Sequence, residues 1–342
     1  MTLHPSIAAV RLPVRRTLAL PEGRGGGSGD NRGTVAVACS GGADSLALAS
    51  ATVFEGHKLG LRVVGVTVDH GLQPGSAEQA DRVVAQLAAM GVDETLTARV
   101  EVDAASGLGP EAAAREARYA VLEQVAEHLR AGLVLLGHTL DDQAETVLLG
   151  LTRGSGGRSL RGMRPAFGVF ARPLLGVRRA DTVTACLVEG LEVWEDPHNS
   201  DPGYTRVRVR DRVLPVLEAE LGPGIAEALA RTADQLREDT ALLDDLTDRA
   251  LAHARRAGGL DVATLREEPP AIRHRALHRA ALDAGSPASE LTREHVLAVD
   301  QLLVGWRGQK WIDLPGPLRA IRRDGLLVVE APGGAHRTPA PT

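Results

Sequence analysis

The stretch "VACSGGADSLALA", residues 37–49, runs from small apolar residues through Ser40-Gly41-Gly42 and Asp44-Ser45 into a second apolar segment. The first apolar part suits a short buried strand and the second suits a helix. Two glycines at the junction let the backbone take a positive φ and approach a ligand closely. The helix that follows opens with free N–H groups and the positive end of its dipole, which favour an anion. Ser40 and Ser45 add hydroxyls. The loop has no lysine, so it is not the GxxxxGK[ST] type, and it lacks the GxGxxG of dinucleotide folds.

Working outward, strand-like and helix-like segments alternate. Residues 34–39, 61–71, 95–102 and 133–138 read as strands. Residues 44–56, 76–91, 109–132 and 141–153 read as helices, with Ser76 and Pro110 as start signals and glycines at the ends. Such alternation predicts an α/β fold, a doubly wound parallel sheet with helices on both faces. After a junction near 213–223, residues 224–300 read as almost entirely helical, and 310–330 as two or three short strands. The expected organisation is a tail at 1–32, disordered by its glycine-rich "PEGRGGGSGDNRG" end, an α/β domain at 33–218, a mainly helical domain at 219–332 that ends in a few short strands, and a second disordered tail at 333–342.

The chain has 342 residues and a formal net charge of -5, so any nucleic-acid role needs a local basic patch. Only Lys58 and Lys310 among the 39 basic residues are lysines. That bias makes each arginine weaker evidence on its own. Cys39 and Cys186 form no CxxC pair, which argues against a disulfide framework or zinc site and fits a reducing cytoplasm. No apolar run reaches bilayer length, so no membrane role is expected.

The SGGxDS pattern resembles the pyrophosphate-binding loop of the N-type ATP pyrophosphatases, the PP-loop superfamily. These enzymes cleave ATP to AMP and pyrophosphate while adenylating an oxygen. "VTVDHGL" (66–72), "AAAREARYAVL" (112–122), "GHTLDDQAETVLLGLTRGSGGRSLRGM" (137–163), "RPLL" (172–175) and "WEDPHNSDPGYTRVRVRDRVLPVL" (194–217) follow in order. Together with the loop they resemble the bacterial tRNA(Ile)-lysidine synthetase family, strongly over about 34–220. The resemblance implies a Rossmann-like PP-loop domain and a ligase forming a C–N bond. ATP adenylates O2 of the wobble cytidine (position 34) of the AUA-decoding tRNA(Ile), and the ε-amine of L-lysine displaces AMP.

The same resemblance implies the site. Ser40, Gly41, Gly42, Ala43, Asp44, Ser45, His70 and His138 bind the nucleotide. Asp44 accompanies Mg²⁺, and Asp141 either caps a helix or helps hold the metal. Asp142 and Glu145, three apart on one helix face, hold lysine. Arg115, with Asp44 and Asp142, is assigned to catalysis. The partners implied are tRNA(Ile) with a CAU anticodon, lysine and a second copy of the chain as a homodimer. One departure is Val207, where family members carry asparagine.

No acid occurs between Glu145 and Asp181, an interval with seven arginines. Arg153, Arg158 and Arg161 there, with Arg206 and Arg208, are expected on tRNA phosphates. Aromatics are only 2% of the chain, so extensive base stacking is not expected. The alternative reading is a tRNA-thiolating enzyme of the same superfamily, against which the cysteine pattern speaks. An amide-forming metabolite synthetase and a non-catalytic nucleotide-binding module are further rivals.

Overall fold

The structure is a computed structural model, and it describes residues 3–20, 33–69, 75–100, 110–152, 156–196 and 201–332. The chain divides into two compact units, Met1–Leu236 and Arg237–Thr342.

The first unit is built on a six-stranded sheet. Strands β1 (Thr34–Ala38), β2 (Arg62–Asp69), β3 (Glu94–Arg99), β4 (Ala131–Leu135), β5 (Ala166–Phe167) and β6 (Phe170–Ala171) lie in the order β3-β2-β1-β4-β6-β5. All neighbours are parallel except the β5–β6 hairpin. The side-chain period of two sends alternate residues to opposite faces. Val35, Val37, Val63, Leu133 and Leu135 pack under α2 (Ala43–Lys58), α3 (Ser76–Met90) and α7 (Arg179–Glu189). Ala36, Val64, Val66, Val134 and Leu136 pack under Leu122 and Ala126 of α4 (Pro110–Leu129). The sheet is therefore doubly wound, as the alternation predicts. Its strand order reverses direction between β1 and β4, and ligands of such sheets bind at the carboxyl ends beside that reversal. The SGGADS loop lies there.

One expectation is corrected. Residues 1–32 are not all tail, because Pro5–Leu18 form helix α1. Ile7, Val10, Val14 and Leu18 recur at helical spacing and join the same core as α2 and α7. Val14 and Leu18 are fully buried, each contributing about 1.5–3 kcal/mol of apolar transfer. Ser6 Oγ donates to Asp181 at 2.9 Å and Arg11 pairs with Glu189 at 2.8 Å, both on α7. The tail expected at 333–342 lies outside the described residues.

Next come α5 (Leu140–Thr152) and α6 (Gly157–Leu160). After α7, the segments α8 (Thr205–Arg208), a π-helical turn (Val209–Val213) and α9 (Leu214–Leu221) succeed one another without a break. Val209 and Leu214 pack with Leu140 and Ala144 of α5, and so do Ala226 and Ala230 of α10 (Ile225–Ala254). That packing carries the first unit past the boundary read at 218, to Leu236.

The second unit contains α11 (Val262–Glu267), α12 (Pro270–Asp283) and α13 (Arg293–Val304) around Leu265, Leu302, Leu303 and Leu327. Strands β7 (Arg255–Arg256), β8 (Gly259–Asp261), β9 (Ile312–Leu314), β10 (Leu318–Arg323) and β11 (Leu326–Glu330) form an antiparallel sheet in the order β7-β8-β11-β10-β9. The hairpin at 255–261 interrupts the expected helical run.

Candidate active site

Gly42 is the N-cap residue of α2 and has no side chain to cap it. Among the described residues no acceptor takes the N–H groups of Gly42, Ala43 and Asp44, which leaves them at the crevice. Gly41 has φ +86, and a Cβ there would lie 2.8 Å from Val83 and 2.9 Å from Gln79. Glycine is therefore required twice over, by conformation and by space. Ser45 Oγ closes the loop on itself: it donates to the Gly42 carbonyl at 2.9 Å and accepts from the Ser40 N–H at 3.2 Å. The two serines thus shape the loop.

Strand β4 ends against this loop. A Cβ on Gly137 would meet the Asp44 carbonyl and Ser45 backbone at 3.0 Å, so glycine allows β4 and α2 to touch. His138 follows it. Burial and the neighbouring Arg172, Arg118 and Arg115 push its imidazole down to about 3, against the attraction of Asp142, so the ring is neutral. His138 Nδ1 is buried without a hydrogen-bond partner. His70 lies outside the described residues.

Helix α5 brings in the acids. Thr139 precedes it, and Asp142 Oδ2 accepts from the Thr139 N–H at 2.8 Å and hydroxyl at 3.0 Å. That is half of a capping box, and it fixes the carboxylate so that Oδ1 faces the crevice. There Oδ1 accepts from Arg179 at 3.0 Å and from Arg210 at 3.4 Å. Burial opposes the Asp142 charge, but Arg179 and the Thr139 N–H outweigh it and hold the carboxyl below its usual range. Glu145 has no exposed side-chain surface. It accepts from Arg210 Nε at 2.6 Å and from the other Arg210 nitrogen at 3.1 Å. Arg206 Nε lies 3.0 Å from Glu145, but no aligned hydrogen bond forms, and the same guanidinium donates to Thr146 at 2.8 Å. Burial pushes Glu145 above the usual carboxylate range despite Arg210.

Asp44 accepts from Arg179 Nε at 3.1 Å and from the Thr182 hydroxyl. Burial raises its carboxyl pKa, partly countered by Arg179. One arginine thus bridges Asp44 and Asp142. Asp141 turns the other way. It accepts from the Arg179 N–H at 2.7 Å and pairs with Arg178 at 3.5 Å, so it caps α7. Among the described residues no three His, Cys, Asp or Glu converge on a metal position. Asp44 fits a magnesium ion that takes one or two carboxylates and its remaining ligands from phosphates and water.

The remaining expected positions divide. Arg115 donates to the Tyr119 hydroxyl at 3.3 Å. Arg158 and Arg161 lie on and after α6, which packs on α5 because Gly150 leaves room for the Ser159 carbonyl. Gln143 pins the end of that loop, pairing with the Met163 backbone at 2.6 and 3.1 Å. Arg206 reaches inward to α5, while Arg208 donates to the Pro202 and Gly203 carbonyls at 2.7 and 2.8 Å. Arg153 lies outside the described residues. Arg179, Thr182 and Arg210 were missed as site residues. Arg179 is one of the seven arginines of the acid-free interval and Arg210 continues the alternate arginines at 206 and 208, so both read as basic-patch members, and Thr182 gives no local signal.

The PP-loop domain family matches residues 21–217, and the TilS substrate binding domain matches residues 260–327. A protein of Thermobifida fusca named tRNA(Ile)-lysidine synthase is 54% identical over 96% of this chain and 98% of its own length. One of the same name from Streptomyces coelicolor is 50% identical over 95% and 98%. This chain belongs to the tRNA(Ile)-lysidine synthase family. The PP-loop domain match spans the SGGADS loop, and the match to the substrate binding domain falls within the second unit. Among solved structures, the U34-tRNA thiolase NcsA from Methanococcus maripaludis, with its [4Fe-4S] cluster, has a TM-score of 0.56 at 20% identity, over 68% of this chain and 80% of that one. That likeness shows the shared fold.

Proposed function

We infer that this chain ligates L-lysine to C2 of the wobble cytidine, position 34, of an isoleucine tRNA with a CAU anticodon, and so changes codon reading from AUG to AUA. The cytidine O2 attacks the α-phosphorus of ATP, and pyrophosphate leaves. The neutral ε-amine of lysine then attacks C2. The C2–O bond breaks, AMP departs and the amine loses its proton.

The observation that carries this reading is the acid pair of α5. Asp142 and Glu145 hold the Arg210 guanidinium between them, 2.6 Å from Glu145 and 3.4 Å from Asp142. Two fixed carboxylates that hold one organic cation suit an amino group of lysine. They stand one carboxylate away from the PP-loop, through Arg179. The open N–H groups at the start of α2 suit the pyrophosphate oxygens. His138 offers a neutral imidazole to the nucleotide, with His70 assigned beside it. Arg115 would offset negative charge at the reacting centre. Asp44 would hold Mg²⁺, with Asp141 behind it. The ion, when bound, neutralises phosphate charge. Arg153, Arg158, Arg161, Arg206 and Arg208 would meet RNA phosphates.

The thiolating alternative needs accessible sulfur chemistry. Cys39 and Cys186 are both buried, and burial pushes the Cys186 thiol up to about 12. Among the described residues no helix is long and apolar enough to cross a membrane. We assign the chain to the cytoplasm, where its tRNA is found, and expect a homodimer.

The test is pyrophosphate release from ATP with a CAU isoleucine tRNA transcript, with and without lysine. Release that requires the tRNA, with labelled lysine entering it, supports the reading. Activity that requires a sulfur donor instead would overturn it.

A further inference from the structure

On the α4 side of the sheet, three guanidiniums gather around one tyrosine. Arg172 donates to the Tyr119 hydroxyl at 2.9 Å, and Arg115 donates to it at 3.3 Å. The Arg118 guanidinium lies 5.8 Å from the Tyr119 ring centre. Arg172 is only 6% exposed and lies 4.5 Å from the Phe167 ring centre. Among the described residues no carboxylate pairs with any of the three. Among the described residues, buried Arg172 Nε and His138 Nδ1 have no hydrogen-bond partner, while the other Arg172 nitrogens donate to Tyr119 and to the Arg164 carbonyl at 2.7 Å. Burial and mutual repulsion pull Arg118 below its ordinary pKa, with Arg115, Arg172 and Arg206 contributing.

Grouped and partly desolvated like charges are unfavourable unless an anion joins them. In a chain of net charge -5 acids are plentiful, yet among the described residues none is placed here. Guanidiniums match phosphate geometry with paired donors. The pyrophosphate of ATP already has the open end of α2, which packs on the opposite face of the sheet from α4.

We propose that Arg118 and Arg172, gathered around Tyr119 next to the Arg115 assigned above to the reacting centre, form an anion subsite for a backbone phosphodiester of the RNA adjoining the nucleotide under modification. This rests on the RNA-modifying reading above. Tyr119 acts as a positioning residue, since its hydroxyl is already shared by two guanidiniums. The subsite holds the strand where the base leaves the stack.

The experiment uses a CAU anticodon stem-loop with a neutral methylphosphonate at the phosphate before or after the target cytidine. RNA affinity is measured for the wild type, Arg118→Gln and Arg172→Gln, with Arg118→Lys retaining charge but not the fork. Each Gln variant should bind unmodified RNA about 10- to 100-fold more weakly and with a shallower salt dependence. One of the two neutral linkages should weaken the wild type by a similar factor and cause little further loss in the variants. ATP affinity without RNA should stay within about twofold. The proposal is overturned if neither neutral linkage weakens wild-type binding, a result that does not depend on any variant folding. It is also overturned if the losses add, or if the variants lose ATP affinity instead. Lysine incorporation is read separately. A wild type that binds the RNA with the expected linkage dependence and incorporates nothing would sink the ligation reading and leave the subsite standing.

Discussion

Arg210 lies across the carboxylate of Glu145 with two nitrogens, at 2.6 and 3.1 Å, while Glu145 itself has no exposed side-chain surface. The acid proposed to hold substrate is thus covered by a cation of the protein's own. On the proposed reading lysine takes the place of that guanidinium, which the π-helical turn Val209–Val213 carries.

Replacing the plug tests this directly. Arg210→Gln should lower the KM for lysine about 3- to 10-fold, since an internal competitor is gone and tenfold corresponds to about 1.4 kcal/mol. Steady-state kinetics with saturating tRNA would show it. A KM that rises tenfold would instead make Arg210 part of the lysine site.

Thr182 is fully buried, and its hydroxyl donates to Asp44. Thr182→Val keeps the volume and removes that donor. It should lower kcat for tRNA-dependent pyrophosphate release about tenfold, the consequence of leaving a buried carboxylate short of one hydrogen bond at about 1–3 kcal/mol. Thermal melting should change less than the rate does.

His138 gives a pH prediction. Its folded pKa is about 3 against an ordinary value of 6.5. Between these values the unfolded chain binds a proton that the folded one does not. Stability therefore falls as pH drops from about 6.5 toward 3. His138→Gln should flatten that slope between pH 6.5 and 5, above the range where ordinary carboxylates titrate. Urea melts across that window read it.

Gly150 lets α6 sit on α5. An added Cβ would fall inside contact distance of the Ser159 carbonyl. Gly150→Ala should push the 156–160 segment away at a cost of about 1–3 kcal/mol. RNA-dependent turnover should fall several-fold while ATP binding is kept, as equilibrium binding to each ligand would show.

Leu18 is fully buried between α1 and the core. Leu18→Ala should destabilise the first unit by about 2–5 kcal/mol. Calorimetry would locate the loss in one transition if the units melt separately.

The sheet and the loop were legible because their signals are local. Strand and helix periods switch within a few residues of Ser40, and the glycines mark the turn. Helix α1 is hard to see in the sequence because its helical spacing at Ile7, Val10, Val14 and Leu18 sits beside "GRGGGSGDNRG", a stretch of linker composition. In the site, Asp44, Asp142 and Glu145 stood out through motifs. Their partners did not. Arg179 is 135 residues from Asp44 and Arg210 is 65 from Glu145, and only the tertiary fold brings them together. The place of Asp141 in its motif suits either a helix cap or a metal ligand, and its carboxylate accepts from the first N–H of α7, 38 residues away.

Helix α1 has a consequence for how the chain is made. Ser6 and its partner Asp181 are 175 residues apart. At about 5–20 residues per second of translation, the amphipathic helix leaves the ribosome roughly 10–35 s before α7 exists to cover its flank. Over that interval Val10, Val14 and Leu18 can pack on α2 but lack the flank that α7 provides. Helix α1 is therefore among the last elements of its unit to find its complete set of neighbours, with α2 arriving early and α7 late.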